Sequence, residues 1–140
     1  MEEMIKILCV DDERNVLKAL RRLFIDEEHY EIIVAESGEE GLEALAEEKD
    51  VRLVISDYRM PGMTGVEFLA QVCEKWPDTI RIVLSGYADT SAVVEAINQG
   101  QIYKFIPKPW NDEDLKTTVS AALEHQELQR QNTLLNQELQ

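Results

Sequence analysis

Apolar and polar positions follow two rhythms along this chain. Residues 5–10, 51–56 and 80–84 form short, nearly unbroken apolar runs, with the length and β-branched content of strands buried on both faces. Residues 31–35 and 102–106 read as two shorter strands. Between these runs the apolar residues recur every three or four positions. Val16, Leu17, Leu20, Leu23 and Phe24 mark one face of a helix from Glu13 or Arg14 to about Asp26. Leu42 and Leu45 mark a second helix over about 38–47, and Val66, Leu69, Val72 and Cys73 a third over about 66–75. A fourth is expected over about 90–98, with Gly100 as its stop. A fifth starts near Asn111 or Asp112, where acids in the first turn suit the helix dipole.

Five strands alternating with five helices predict an α/β fold. The expected architecture is a doubly wound, five-stranded parallel sheet of order 2-1-3-4-5, flavodoxin-like, with an extended C-terminal helix. That order opens a crevice between strands one and three. Asp11 and Asp12 close the first strand and Asp57 closes the third, so three carboxylates meet at the carboxyl edge of the sheet. Such crowding is costly unless a cation sits among them. Ligands that are all oxygen point to Mg²⁺ with much of its water shell retained. A nucleophilic carboxylate beside a hard cation is what phosphoryl chemistry needs.

The fifth helix does not stop where the domain needs it to. No Pro or Gly occurs after Pro109. Ala121, His125, Leu128, Asn132, Leu135 and Leu139 follow alternating steps of three and four, with Leu128 and Leu135 at d, Leu139 at a, and Asn132 a polar a residue. The expected division is a domain over residues 1–124 and a helical linker or coiled-coil extension over 125–140, leading toward an output domain.

Composition narrows the functions. There are 28 acids against 14 bases, a formal net charge of -14, so direct nucleic-acid binding and docking on an anionic membrane are not expected of this segment. No stretch has the length of a membrane span and the N-terminus MEEMIK lacks a secretory pattern, so the expected location is cytoplasmic. Cys9 and Cys73 lack metal-ligand spacing and read as reduced, packed thiols. His29 and His125 are too few for a zinc cluster. Trp76 and Trp110, beside prolines at element boundaries, read as packing or docking residues.

Four segments, CVDDE at 9–13, SDYRMPGMTG at 56–65, LSGYAD at 84–89 and KFIPKPW at 104–110, resemble in order and spacing the receiver domain of a bacterial two-component response regulator. The resemblance covers residues 4 to about 124. It implies a signalling switch, not a turnover enzyme, in which Asp57 accepts a phosphoryl group from a sensor histidine kinase or phosphotransfer protein. It also implies direct Mg²⁺ ligation by Asp12, Asp57 and the backbone carbonyl of Arg59, with Asp11 acting mainly through metal-bound water. Lys108 would supply charge to the phosphoryl oxygens and Ser85 a hydroxyl, with Phe105 as the aromatic partner of the switch. Gly86 would give the phosphate room, and Arg59 and Tyr87 would tune its hydrolysis. The family pattern carries a cis bond between the lysine and the following proline. Homodimerisation is expected through the C-terminal helix or the face formed by helix four, strand five and helix five. KPW and LSGYAD are similar to receivers of cyclic-dinucleotide phosphodiesterases of the HD type or of sigma-54-dependent activators. Pro107 departs from many relatives and removes a donor at the end of strand five.

Two other readings fit part of the pattern. A degenerate receiver serving only as a protein-interaction module is disfavoured by the intact set Asp12, Asp57, Ser85 and Lys108. An aspartate-nucleophile, Mg²⁺-dependent phosphohydrolase would place a DxD pair after strand one, where this chain has DDE.

Overall fold

The computed structural model describes residues 4–86, 90–99 and 101–138. The elements run β1 (Ile5–Val10), α1 (Arg14–Leu23), β2 (Tyr30–Ala35), α2 (Gly38–Glu47), β3 (Val51–Asp57), α3 (Gly65–Lys75), β4 (Ile80–Ser85), α4 (Thr90–Asn98), β5 (Lys104–Pro107) and α5 (Asp112–Glu138). All five strands are parallel and lie in the order β2-β1-β3-β4-β5, as expected from the alternating pattern. Gly100, the expected stop of the fourth helix, lies outside the described residues.

Strand periodicity sorts the core into two layers. Ile7, Cys9, Leu53, Ile55, Ile82, Leu84 and Ile106 face α1 and α5, meeting Leu17, Leu20, Leu115 and Val119. Leu8, Val10, Val54 and Val83 face the other way, against Leu45 of α2, Phe68, Leu69 and Val72 of α3, and Val93 and Ala96 of α4. Both faces of the central strands are covered, which is why β1, β3 and β4 read as continuous apolar runs. Burial pushes the Cys9 thiol up to about 12, so it stays protonated and inert.

Local chemistry sets the helix ends. Thr64 and Glu67 form a capping box at the start of α3, and Ser37 accepts from the Glu40 amide at the start of α2. Helix α1 ends at Leu23, three residues short of the expected Asp26. Phe24 buries its ring as the C-cap residue, and Ile25 turns out to solvent at 76% exposure. Strand β5 begins at Lys104 rather than Ile102. Ile102 is buried in the layer beside α4, and the Tyr103 amide donates to Arg81 O ahead of the strand. Helix α5 continues without interruption to Glu138. None of the described helices is long and apolar enough to cross a membrane.

Candidate functional site

The strand register brings the acids together. Val10 pairs with Ser56, so the chain leaving β1 at Asp11 and Asp12 lies beside Asp57 at the end of β3. One carboxylate oxygen from each of Asp11, Asp12 and Asp57 falls within 4.8 Å of the others. Asp11 is 1% exposed, Asp57 is 7% exposed, and Asp12 lies at the surface. Asp11 Oδ1 accepts the Glu13 amide at 2.9 Å, which holds one of its oxygens at the entrance to α1.

Lys108 completes the cluster. Ser85 pairs with Pro107, and the Lys108 amide donates to Ser85 O at 2.9 Å. This anchors the lysine backbone across from Asp57. Its ammonium lies 2.5 Å from Asp57 Oδ1 and 3.4 Å from Asp11 Oδ2, bridging the two buried carboxylates. The Lys108–Pro109 peptide bond is cis. Beyond it, the Trp110 indole N–H donates to Asp112 Oδ1, and Asn111 Oδ1 accepts from the Asp114 amide at the start of α5.

The floor of the site is the turn from Asp57 to α3. The Tyr58 amide donates to Leu84 O, and the Gly65 amide donates to Tyr58 O at 2.7 Å. A Cβ at Gly65 would stand 2.1 Å from Asp57 O, so only glycine lets α3 approach β3 this closely. Gly62, at φ 80°, turns the chain within this loop. Neither this close approach nor the double bridge of Lys108 is visible in residue spacing. The PGMTG segment was the available signal for the first, since glycine often marks backbone crowding.

Ser85 is 2% exposed, and its hydroxyl donates to Gly86 O at 3.0 Å. The hydroxyl therefore sits at the sheet edge but is engaged on its own chain. A Cβ at Gly86 would meet nothing within 4 Å, so that position opens outward. Phe105 is half-buried against the layer beside α4, whereas Tyr103 is 48% exposed and lines a surface hollow with Ala122 and His125. Arg59 is exposed, two positions past Asp57. Tyr87 lies outside the described residues. Leu128 and Asn132 are exposed on α5, Leu135 lies on the same helix, and Leu139 is outside the described residues.

This arrangement coincides with a family pattern described as the response regulator receiver domain, which matches residues 7–120. The chain belongs to that family. It is 43% identical over 133 residues to the hydrogenase transcriptional regulatory protein HoxA of Cupriavidus necator, covering 95% of this chain and 27% of HoxA. It is 37% identical over 103 residues to the DNA-binding transcriptional regulator NtrC of Escherichia coli K12, covering 72% of this chain and 22% of NtrC. The chain thus spans about a quarter of the length of these relatives. Among solved structures, the signal receiver domain of an HD domain-containing protein from Pseudomonas fluorescens Pf-5 superposes with a TM-score of 0.84 at 35% identity, covering 94% of this chain and 95% of that one.

The electrostatics of the receiver site show a cluster short of positive charge. Burial raises the pKa of Asp57, and the Asp12 charge adds to it, while Lys108 opposes both. Burial likewise pushes the Asp11 carboxyl up to about 6, helped by Asp57 and opposed by the Glu13 amide and Lys108. Burial alone would lower Lys108, but its hydrogen bond to Asp57 and the charges of Asp11 and Asp57 outweigh that and raise it. One ammonium therefore stays protonated yet does not balance three carboxylates. Convergent oxygens with unmet negative charge suit a hard divalent cation.

A pH dependence follows for the metal-free protein. Between the ordinary value of 3.8 and about 6, Asp11 holds more protons folded than unfolded. Unfolding free energy therefore rises as the pH falls through about 6, and the full gain is present below 3.8. The gain is at most about 3 kcal/mol. Asp57 shifts in the same direction, whereas Asp50, lowered by Arg130, acts only below this window. In chelator, the Tm should climb from about pH 7.5 to about pH 5.5, with a weaker slope in Asp11→Asn. A flat or falling Tm over that range, or equal slopes in the two proteins, would contradict the assignment.

Proposed function

We propose that this receiver domain is a phosphorylation-activated switch whose acceptor is Asp57. The observation that carries the reading is the pairing of Asp57 with Lys108 beside Asp11 and Asp12 at one sheet edge. A carboxylate oxygen of Asp57 attacks phosphorus, and the P–N bond of a donor phosphohistidine breaks, with the electron pair leaving on the imidazole. The product is an acyl phosphate on Asp57. Asp12, Asp57 and the Arg59 carbonyl would hold Mg²⁺, with Asp11 reached through water. When bound, the ion supplies positive charge against which phosphoryl oxygens are accommodated. Lys108, paired with Asp57, would follow the charge from carboxylate to phosphoryl oxygens.

Ser85 then has a choice of partners. Its hydroxyl leaves Gly86 O and donates to a phosphoryl oxygen, and Phe105 moves into the space vacated. Arg59 and Tyr87, two positions past Asp57 and Ser85 in the sequence, would obstruct a hydrolytic water. The altered face of α4, β5 and α5 passes the change to the helix extension over 125–140, and through it to a second copy or an output domain. The domain takes one phosphoryl group per event and is not a turnover enzyme. Its donor would be a cytoplasmic histidine kinase or phosphotransfer protein. The likeness to HoxA and NtrC favours a transcriptional regulator of the sigma-54-dependent kind over an HD-type phosphodiesterase.

Intact-mass measurement after exposure to acetyl phosphate and Mg²⁺ tests this. The protein should gain one phosphoryl group, and Asp57→Asn should gain none. Absence of the adduct in the unsubstituted protein, with beryllofluoride also failing to bind, would leave a partner-binding module as the better account.

A further inference from the structure

Helix α5 is held to the domain at the sheet edge opposite the acidic cluster. Gln126, 6% exposed, is the centre of the contact. Its amide nitrogen donates to Arg52 O at 3.1 Å and to Asp78 O at 2.6 Å. Its carbonyl oxygen accepts from Arg52 Nε at 2.6 Å. Arg52 also pairs with Glu127 at 3.3 Å, and one turn on Arg130 pairs with Asp50 at 3.0 Å. Asp50 sits at φ 58°, in the turn that leads into β3. Each polar group of the Gln126 side chain is satisfied by backbone or guanidinium of the β3 entrance and of the loop before β4.

The geometry of the helix gives this contact a consequence. At roughly 100° per residue, Val119, Leu123 and Arg130 fall within about 60° of Gln126 and form the docked face. Leu128 stands about 200° away, and Ala121, His125 and Asn132 lie within about 60° of Leu128. All four are exposed. Ala121 and Leu128 therefore turn away from the domain, while His125 and Asn132 flank the docked face and line the hollow beside Arg81 and Tyr103.

We propose that Arg52, Gln126 and Arg130 form a latch that fixes the rotational phase of α5 and so presents the Ala121, His125, Leu128 and Asn132 face to a second copy of this chain. The presentation to a second copy rests on the dimeric-helix reading above; the latch itself rests on the contacts. Arg52 enters the strand that ends at Asp57, so one element carries both the acceptor and the clamp on the outgoing helix. The docked helix leaves the domain in one orientation, and two latched copies pair with their domains on the outside of the helix pair.

The latch is tested by hydrogen–deuterium exchange on the full chain in a Leu128→Glu background, where seam pairing does not contribute to protection. Adding Gln126→Leu, which keeps helix propensity, should speed exchange of residues 126–138 about tenfold and leave β1, β3 and β4 protected. Arg130→Ala, at the exposed end, should speed it about threefold and serves as the second variant should Gln126→Leu lose its fold. Exchange unchanged in these variants would overturn the latch. Sedimentation of the unsubstituted chain and of Gln126→Leu reads the other half. A dimer weakened by Gln126→Leu supports phase control, and a dimer of equal strength overturns it. If the unsubstituted chain sediments as a monomer with and without beryllofluoride, the dimeric reading fails alone, because exchange still reads the latch.

Discussion

Gly65→Ala should unfold the protein at a markedly lower temperature and impair phosphoryl acceptance in what remains folded. Helix propensity alone argues the opposite, since alanine in place of glycine favours a helix by up to about 1 kcal/mol. The collision decides the sign. The added Cβ would meet Asp57 O at 2.1 Å, and Asp57 C and Tyr58 Cα at 2.9 Å, all of them backbone atoms that cannot rotate away. Helix α3 must retreat from β3, and the 2.7 Å bond from the Gly65 amide to Tyr58 O stretches with it. Overpacking of this kind costs about 3 kcal/mol. For a chain of this size that lowers Tm by about 10 °C. The loss should persist with Mg²⁺ present, because the strain lies in the backbone beneath Asp57. A Gly65→Ala protein with an unchanged or raised Tm would show that α3 yields freely and that the floor of the site is not set by this approach.

Lys108→Met should slow phosphorylation by acetyl phosphate about a hundredfold at saturating Mg²⁺, the scale of removing one positioned donor from developing charge. Methionine keeps the length of the side chain and its packing while deleting the ammonium. In the metal-free protein the same substitution leaves Asp57 and Asp11 buried without their bridging cation. It should therefore lower Tm in chelator, with much of the loss restored by Mg²⁺, since a divalent cation answers the same deficit. The initial rate of adduct formation, followed by intact mass, separates the two effects. A rate within a factor of two of the unsubstituted protein would remove Lys108 from the transfer step and leave it a purely structural counterion.

Much of this architecture was legible in the chain because it is written in local pattern. β1, β3 and β4 are unbroken apolar runs, and a strand-end aspartate needs only the correct strand order to find its neighbours. Asp11, Asp12, Asp57, Ser85 and Lys108 were placed at one edge for that reason. What stayed hidden depends on contacts between distant segments. Gln126 looks like one polar residue on a polar helix, yet its side chain is satisfied by partners 74 and 48 positions away. Gly65 reads as an ordinary turn glycine until the Asp57 carbonyl is seen against it. The Ser85 hydroxyl was assignable to the site, but its bond to Gly86 O depends on a torsion that no spacing encodes. The ends of α1 and β5 moved because Phe24 and Ile102 found places in the core outside regular structure.

The most direct test of the account is to trap the acceptor chemically. After phosphorylation with acetyl phosphate and Mg²⁺, borohydride reduces an acyl phosphate, and peptide mapping locates the reduced carboxyl. The account predicts reduction at Asp57 alone. Reduction at Asp11 or Asp12, or at no residue in a protein that has gained the adduct, would contradict it.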